Sequence, residues 1–127
     1  MHDLSDTQPR LLIVDDDGNL RRLLTATFSY GKYEIHEASN GVDAVSLAMQ
    51  LQPSVVLLDV MLPGEFDGLE VCRKIKAQPA LKKTHVILLT ALGQKKDREL
   101  GELAGADAYI VKPFSPLQLI ELVESMP

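Results

Sequence analysis

Five polar side chains stand at the ends of short apolar runs, and together they could carry out phosphoryl chemistry. Asp15 and Asp16 follow the first run, and Asp59 follows a later one. Thr90 and Lys112 end two further runs. Carboxylates that lie close together repel one another, and this repulsion is relieved by a hard cation with oxygen ligands, such as Mg²⁺, or by an ammonium group. A carboxylate held in this way can attack a phosphoryl group, because the transfer depends on positioning and charge neutralisation.

The apolar runs themselves have the character of β-strands. Residues 11–14, 55–58, 86–89 and 109–111 are short, rich in branched side chains and free of polar alternation. Such runs are typical of parallel strands covered on both faces. Residues 33–38 alternate between apolar and polar side chains, which favours an exposed edge strand. The sequence therefore predicts five strands.

Helical patterns separate these strands. Residues 94–104 form the weakest of them: Leu100, Leu103 and Ala104 are expected to face inward, and the polar first half is expected to be mobile. Four clearer stripes show apolar residues at helical spacing. They consist of Leu20, Leu23, Leu24 and Phe28; of Val42, Val45, Ala48 and Met49; of Leu69, Cys72 and Ile75; and of Leu119, Leu122, Val123 and Met126.

Short local signals mark several helix ends. Asp17 could serve only as the N-cap of a helix starting near Gly18, rather than joining its acidic neighbours in chemistry. Ser115 followed by Pro116 is a typical start for the last helix. Gly105 is expected to form a left-handed cap after the fourth helix.

The alternation of strands and helices predicts an α/β fold. Right-handed crossovers produce a doubly wound, five-stranded parallel sheet, (βα)5, and the edge character of the second strand favours the flavodoxin-like order 2-1-3-4-5. Sites in such sheets form outside the carboxyl ends of the strands. Because the first and third strands are neighbours in this order, Asp59 should lie beside Asp15 and Asp16.

Length, composition and charge narrow the class of protein. The 127 residues fit a single domain over 1–127, with a core over about 10–125 and a flexible N-terminal segment over 1–9. The net charge of −5 argues against direct binding of nucleic acid. The apolar runs are far shorter than the ~20 residues of a membrane span, so a cytoplasmic protein is expected. Cys72, the single cysteine, is interpreted as a buried apolar residue.

Four segments, residues 11–17, 55–64, 87–91 and 105–114, resemble the signature segments of response regulator receiver domains. The resemblance is to receiver domains of the chemotaxis-regulator type and covers about residues 10–125. It implies a domain of two-component, or phosphorelay, signal transduction. Such a domain is not an enzyme in the usual sense, because it assists only its own aspartyl phosphorylation and dephosphorylation.

The resemblance implies roles for the acidic residues. Asp59 would be the phosphoacceptor, and Mg²⁺, or Mn²⁺, would be the cofactor. Asp16 and Asp59 would bind the metal directly, Asp15 would act mainly through water, and the backbone carbonyl of Met61 would complete the metal contacts.

The resemblance also implies roles for the switch residues. Lys112 would contact the phosphoryl group, and its bond to Pro113 is expected to be cis. Thr90, followed by the small Ala91, would hydrogen-bond a phosphoryl oxygen, and Tyr109 would change rotamer in response.

The resemblance also implies which residues set the lifetime of the phosphoryl group and which partners bind the domain. Met61 and Leu92 would flank the phosphoryl group and tune its hydrolysis. The expected phosphodonor is a histidine kinase or a phosphotransfer protein. An effector domain or a second copy of the chain would bind the surface formed by helix 4, strand 5 and helix 5, with no direct role for nucleic acid or membrane.

One departure and three alternatives stay open. Gly68 lies one residue further from Asp59 than the family pattern has it, which leaves the shape of the loop over residues 64–67 undetermined.

Residues 15–19 also resemble the nucleophile motif of haloacid-dehalogenase-type phosphatases, with Asp15 as nucleophile and Asp17 as general acid. A calcium-binding EF-hand is a weaker alternative, since Leu20 stands where that motif has glycine. The third alternative is an interaction module that takes no phosphate.

Overall fold

Ten main elements alternate along the part of the chain that the computed structural model describes, residues 8–126. Most of the predicted flexible segment 1–9 therefore lies outside the described residues. The strands are β1 Arg10–Val14, β2 Glu34–Ala38, β3 Val55–Asp59, β4 His85–Thr90 and β5 Ala108–Val111. The helices are α1 Gly18–Phe28, α2 Gly41–Leu51, α3 Gly68–Lys76, α4 Lys95–Leu103 and α5 Pro116–Glu124, with a short 3₁₀ turn at Pro79–Leu81.

The strands form one parallel sheet in the order β2-β1-β3-β4-β5. The predicted flavodoxin-like fold is confirmed. Val14 pairs with Leu58 across β1 and β3, and Asp59 pairs with Leu89 across β3 and β4. This register brings the carboxyl ends of the three central strands to the same edge of the sheet.

Consecutive apolar residues in the strands serve two cores, one on each face of the sheet. Successive side chains of a strand point to opposite faces. Leu12 and Val14 of β1 pack in one core with residues of α2 and α3, while Leu11 and Ile13 pack in the other with residues of α1 and α5. The absence of polar alternation in the central strands follows from this double coverage.

β5 departs from that description. Its four residues are all half-buried, because it lies at the edge of the sheet opposite β2. The prediction that residues 109–111 are covered on both faces is therefore wrong in part.

No helix among residues 8–126 has the length and apolar character needed to cross a membrane.

The predicted helix ends are confirmed. The carboxylate of Asp17 accepts hydrogen bonds from the backbone N–H groups of Asn19 and Leu20 at the start of α1. The hydroxyl oxygen of Ser115 caps α5 by accepting from the N–H of Gln118, and the N–H of Ser115 donates in return to Oε1 of Gln118, which completes a capping box.

The buried faces of α1 and α2 are narrower than predicted. Leu23, Val42 and Met49 belong to the predicted stripes of α1 and α2, but their exposed fractions are 50%, 48% and 40%. The α2 face that packs on the core is formed by small residues, among them Ala44 and Ala48.

α4 departs furthest from its prediction. Leu100 and Leu103 point outward, with exposed fractions of 49% and 83%, whereas Gly101 and Ala104 are buried. A Cβ atom at Gly101 would lie 3.0 Å from side-chain atoms of both Leu88 and Tyr109. α4 therefore packs so closely on β4 and β5 that only small residues fit on its inner face.

Candidate functional site

Three carboxylates meet at the carboxyl edge of the sheet. Asp15 directly follows β1, Asp16 is next along the chain, and Asp59 is the last residue of β3. One oxygen atom from each lies within 4.8 Å of the others. Asp15 and Asp59 are buried, with exposed fractions of 1% and 5%, while Asp16 is exposed. The structure thus brings together the three acids as the strand order predicts.

The ammonium group of Lys112 lies against this cluster. Lys112 follows β5, two strands away from β3, and its side chain extends past the end of β4. Its Nζ atom is 3.0 Å from Oδ2 of Asp15 and 3.6 Å from Oδ1 of Asp59. The peptide bond between Lys112 and Pro113 is cis.

The environment of Asp59 stabilises the protonated form of its carboxyl group more than bulk water would. Burial and repulsion from Asp15 raise the pKa of Asp59, with a smaller contribution from Asp16. The backbone N–H of Met61 and the ammonium of Lys112 act in the opposite direction. Three close carboxylates with one ammonium leave an excess of negative charge that a cation would neutralise.

The loop after β3 holds Asp59 through its backbone. The N–H of Met61 donates to Oδ1 of Asp59 over 3.2 Å. The N–H of Gly68 donates to the carbonyl of Val60 over 2.8 Å, which returns the loop to the strand end. A Cβ atom at Gly68 would lie 2.1 Å from the carbonyl oxygen of Asp59, so only glycine fits there. The additional residue is accommodated before Gly68, and the contact of Gly68 with the strand is formed.

Thr90 and Tyr109 are connected through the loop after β4. Thr90 is fully buried, and its hydroxyl accepts a hydrogen bond from the N–H of Leu92 over 3.1 Å. The hydroxyl of Tyr109 donates to the carbonyl of Leu92. Leu92 is therefore held by both side chains, so a displacement of Thr90 has a direct route to Tyr109.

The rim of the site carries two exposed apolar side chains. Met61 and Leu92 have exposed fractions of 61% and 40%. Ala91, between Thr90 and Leu92, is also exposed.

One contact of the site was missed by the sequence analysis. The guanidinium group of Arg21 donates a hydrogen bond of 2.7 Å to the carbonyl of Asp15. The apolar periodicity of α1 does not indicate this contact, because Arg21 is one of the polar residues of that helix.

The residues at the site fit a hard divalent cation. The cluster offers carboxylate oxygens and no sulfur or imidazole, which is the donor set that Mg²⁺ and Mn²⁺ prefer. An arrangement of this kind can neutralise a phosphoryl group beside a nucleophilic carboxylate.

Comparison with known proteins identifies the family. The family model described as response regulator receiver domain matches residues 11–124. The chain is 46% identical over 116 residues to the transcriptional regulatory protein SrrA of Staphylococcus aureus, covering 91% of this chain and 46% of SrrA. It thus spans about half the length of this curated relative.

Solved structures show the same fold. The chemotaxis protein CheY4 of Vibrio cholerae superposes with a TM-score of 0.87 and 27% identity, covering 94% of this chain and 99% of that one. The receiver domain of the sensor histidine kinase PA1611 from Pseudomonas aeruginosa has a TM-score of 0.84 and 28% identity, covering 93% and 96%. That structure has a magnesium ion coordinated in its active site cleft.

A match over most of the chain, the confirmed strand order and the acidic cluster at the predicted edge agree with one another. The chain belongs to the response regulator receiver domains of two-component signalling.

Proposed function

We propose that Asp59 accepts a phosphoryl group from a histidine kinase or a phosphotransfer protein. The observation that carries this proposal is the position of Asp59 within 4.8 Å of two other carboxylates and 3.6 Å from the Lys112 ammonium. A buried carboxylate with charged groups arranged in this way is suited to phosphoryl transfer, which depends mainly on positioning and electrostatics.

The proposed cofactor is Mg²⁺, with Mn²⁺ as a substitute. Asp16, Asp59 and the backbone carbonyl of Met61 would hold it, and Asp15 would act mainly through water. The magnesium ion in the PA1611 receiver domain supports this assignment. When bound, the cation would supply positive charge to the phosphoryl oxygens and to the carboxylates.

Asp59 would act as the nucleophile through Oδ2. The hydrogen bond from Met61 and the approach of Lys112 both involve Oδ1. In the described part of the chain no buried side-chain oxygen lacks a partner, so Oδ2 reaches solvent. Attack of Oδ2 on phosphorus forms an acyl phosphate as the bond from phosphorus to the donor's histidine nitrogen breaks.

Thr90, Ala91 and Lys112 would stabilise the phosphoryl group once it is attached. The Thr90 hydroxyl would donate to one phosphoryl oxygen and the backbone N–H of Ala91 to another. The Lys112 ammonium would exchange part of its contact with Asp15 for a phosphoryl oxygen.

The phosphatase alternative fits the geometry less well. Both oxygens of Asp15 have partners, since Oδ1 accepts from the N–H of Asp17 and Oδ2 lies beside Lys112. Asp15 is also 1% exposed, and the carboxylate of Asp17 is engaged as the cap of α1. Neither is placed to act as nucleophile or general acid.

The proposed output surface consists of α4, β5 and α5. Leu100 and Leu103 on α4 and Leu117 on α5 are large apolar residues with exposed fractions of 49%, 83% and 62%. An effector domain or a second copy of the chain would cover them. Phosphorylation would reach this surface through Thr90, Leu92 and Tyr109.

Intact mass spectrometry after incubation with a small phosphodonor tests the proposal. The wild type should gain one phosphoryl group with Mg²⁺ and none with a chelator. Asp59→Asn should gain none, whereas Asp43→Asn, which changes an acid on α2 away from the cluster, should be labelled like the wild type. Labelling of Asp59→Asn to the wild-type extent would contradict the assignment.

A further inference from the structure

Asp15 is held at each of its polar atoms. Its N–H donates to the carbonyl of Ala38 over 3.2 Å. Its Oδ1 accepts from the N–H of Asp17 over 2.9 Å, and its Oδ2 lies 3.0 Å from Nζ of Lys112. The remaining group, its backbone carbonyl, accepts a hydrogen bond of 2.7 Å from the guanidinium of Arg21. The loop after β1 therefore depends on Arg21 for one of its four anchors.

Arg21 is itself fixed from the opposite side. Its Nε donates to Oε1 of Glu37 on β2 over 3.0 Å, and the other oxygen of Glu37 accepts from the hydroxyl of Thr25 over 3.3 Å. The Arg21 side chain has an exposed fraction of 22%. The guanidinium thus bridges an edge strand and the loop that carries the first two acids.

The contact made by Arg21 bears directly on the orientation of Asp16. The carbonyl of Asp15 and the N–H of Asp16 belong to one planar peptide unit. A hydrogen bond that fixes this carbonyl therefore fixes the plane from which the Asp16 side chain departs. Asp16 is exposed, so packing contributes little to its position.

We propose that Arg21, held by Glu37, is a positioning residue that directs the Asp16 carboxylate toward Asp59 for metal binding. This inference rests on the proposed Mg²⁺-dependent function of the site. Arg21 touches neither the phosphoryl group nor the metal in this account, and it acts through the peptide between Asp15 and Asp16.

The sign of the effect on metal affinity separates positioning from simple electrostatics. Removal of a positive charge near the acids makes the site more negative, so a purely electrostatic role predicts tighter Mg²⁺ binding. A positioning role predicts weaker binding despite the added negative charge. Loss of a group that orients a metal ligand costs roughly tenfold in metal affinity.

The test is calorimetric titration of metal-free protein with MgCl₂. Arg21→Met should raise the Kd by roughly tenfold. Arg22→Met is the matched control, because Arg22 is the next residue of α1, is exposed and, among residues 8–126, has a side-chain hydrogen bond to Asn19 alone. It removes the same charge and should leave the Kd unchanged or slightly lower. Arg21→Lys should recover part of the loss, because one ammonium can reach the Asp15 carbonyl without also holding Glu37.

A second readout does not require metal. Hydrogen exchange at the N–H groups of Asp16 and Asp17 should be faster in Arg21→Met than in Arg22→Met, while exchange within β3 is unchanged. Mg²⁺ affinity of Arg21→Met equal to or tighter than that of Arg22→Met would overturn the proposal. If Arg21→Met does not fold, Arg21→Lys decides, because it keeps the positive charge but cannot hold both Glu37 and the Asp15 carbonyl: a raised Kd supports the proposal and an unchanged Kd overturns it.

The outcomes distinguish this inference from the proposed function. At saturating Mg²⁺, Arg21→Met should be phosphorylated to the wild-type extent, because its nucleophile is intact. A wild type that neither binds Mg²⁺ nor takes a phosphoryl group would contradict the proposed function itself. A wild type that does both, with the two arginine variants binding Mg²⁺ equally, would contradict only the role of Arg21.

Discussion

Nζ of Lys112 lies nearer to Oδ2 of Asp15, at 3.0 Å, than to Oδ1 of Asp59, at 3.6 Å. The ammonium therefore forms its hydrogen bond with the carboxylate that we do not assign as nucleophile. This arrangement relieves the repulsion between the acids while leaving Asp59 less firmly engaged. Lys112 could then turn toward a phosphoryl group without breaking a strong bond to Asp59, the proposed nucleophile.

Lys112→Met should lower the stability of the metal-free protein and increase the stabilisation that Mg²⁺ provides. Loss of the charged partner of the buried Asp15 should lower the free energy of unfolding by about 1–3 kcal/mol. Mg²⁺ should bind more tightly, because it then relieves more of the repulsion between carboxylates. Thermal melts with and without Mg²⁺ measure both effects. Lys96→Met, at an exposed position of α4, is the control; equal Mg²⁺ responses in the two variants would contradict this account.

The apolar rim of the site should give a long-lived phosphoryl group. Met61 and Leu92 cannot orient an attacking water molecule. Met61→Asn combined with Leu92→Lys should therefore change the rate of dephosphorylation severalfold, as followed by loss of the phosphorylated mass after the donor is removed. Leu103→Asn, an exposed apolar residue of α4, should leave the rate unaltered. A double variant that loses phosphate at the wild-type rate would remove the proposed role of these two side chains.

Cys72 should be inert in the folded protein. Burial raises the pKa of its thiol from 9.0 to about 11. The native protein at pH 8 should react with a disulfide reagent far more slowly than the unfolded chain. Because the folded pKa is the higher one, the stability linked to this thiol is present below pH 9 and is lost as the pH rises toward 11. Cys72→Ala should lack that part of the decline, and rapid labelling of the native wild type would contradict the burial.

Phosphorylation should alter the segment from Leu92 to Ala104 together with Tyr109. A beryllofluoride mimic at Asp59 would draw the Thr90 hydroxyl toward Asp59. Because this hydroxyl accepts a hydrogen bond from the N–H of Leu92, Leu92 should move with it. Hydrogen exchange with and without the mimic reports this change. Protection that changes only in the loops around Asp16 and Asp59 would exclude α4 and β5 from the output.

Some parts of the structure were predictable from sequence and others were not. The position of Asp59 beside Asp15 follows from strand order, because parallel strands deliver their carboxyl ends to one edge. The outward orientation of Leu103 was not predictable from apolar spacing, since the close approach at Gly101 decides which face of α4 packs. The contact of Arg21 with Asp15 depends on where β2 places Glu37, and no local pattern in the sequence records that placement.

The central claim, that Asp59 is the phosphoacceptor, is tested most directly by chemical trapping. Borohydride reduces an aspartyl phosphate to homoserine, which peptide mass spectrometry locates in the sequence. Protein treated with a small phosphodonor and Mg²⁺ and then reduced should contain homoserine at position 59. Homoserine at position 15 or 16 instead, or a phosphorylated protein without homoserine at position 59, would contradict the account.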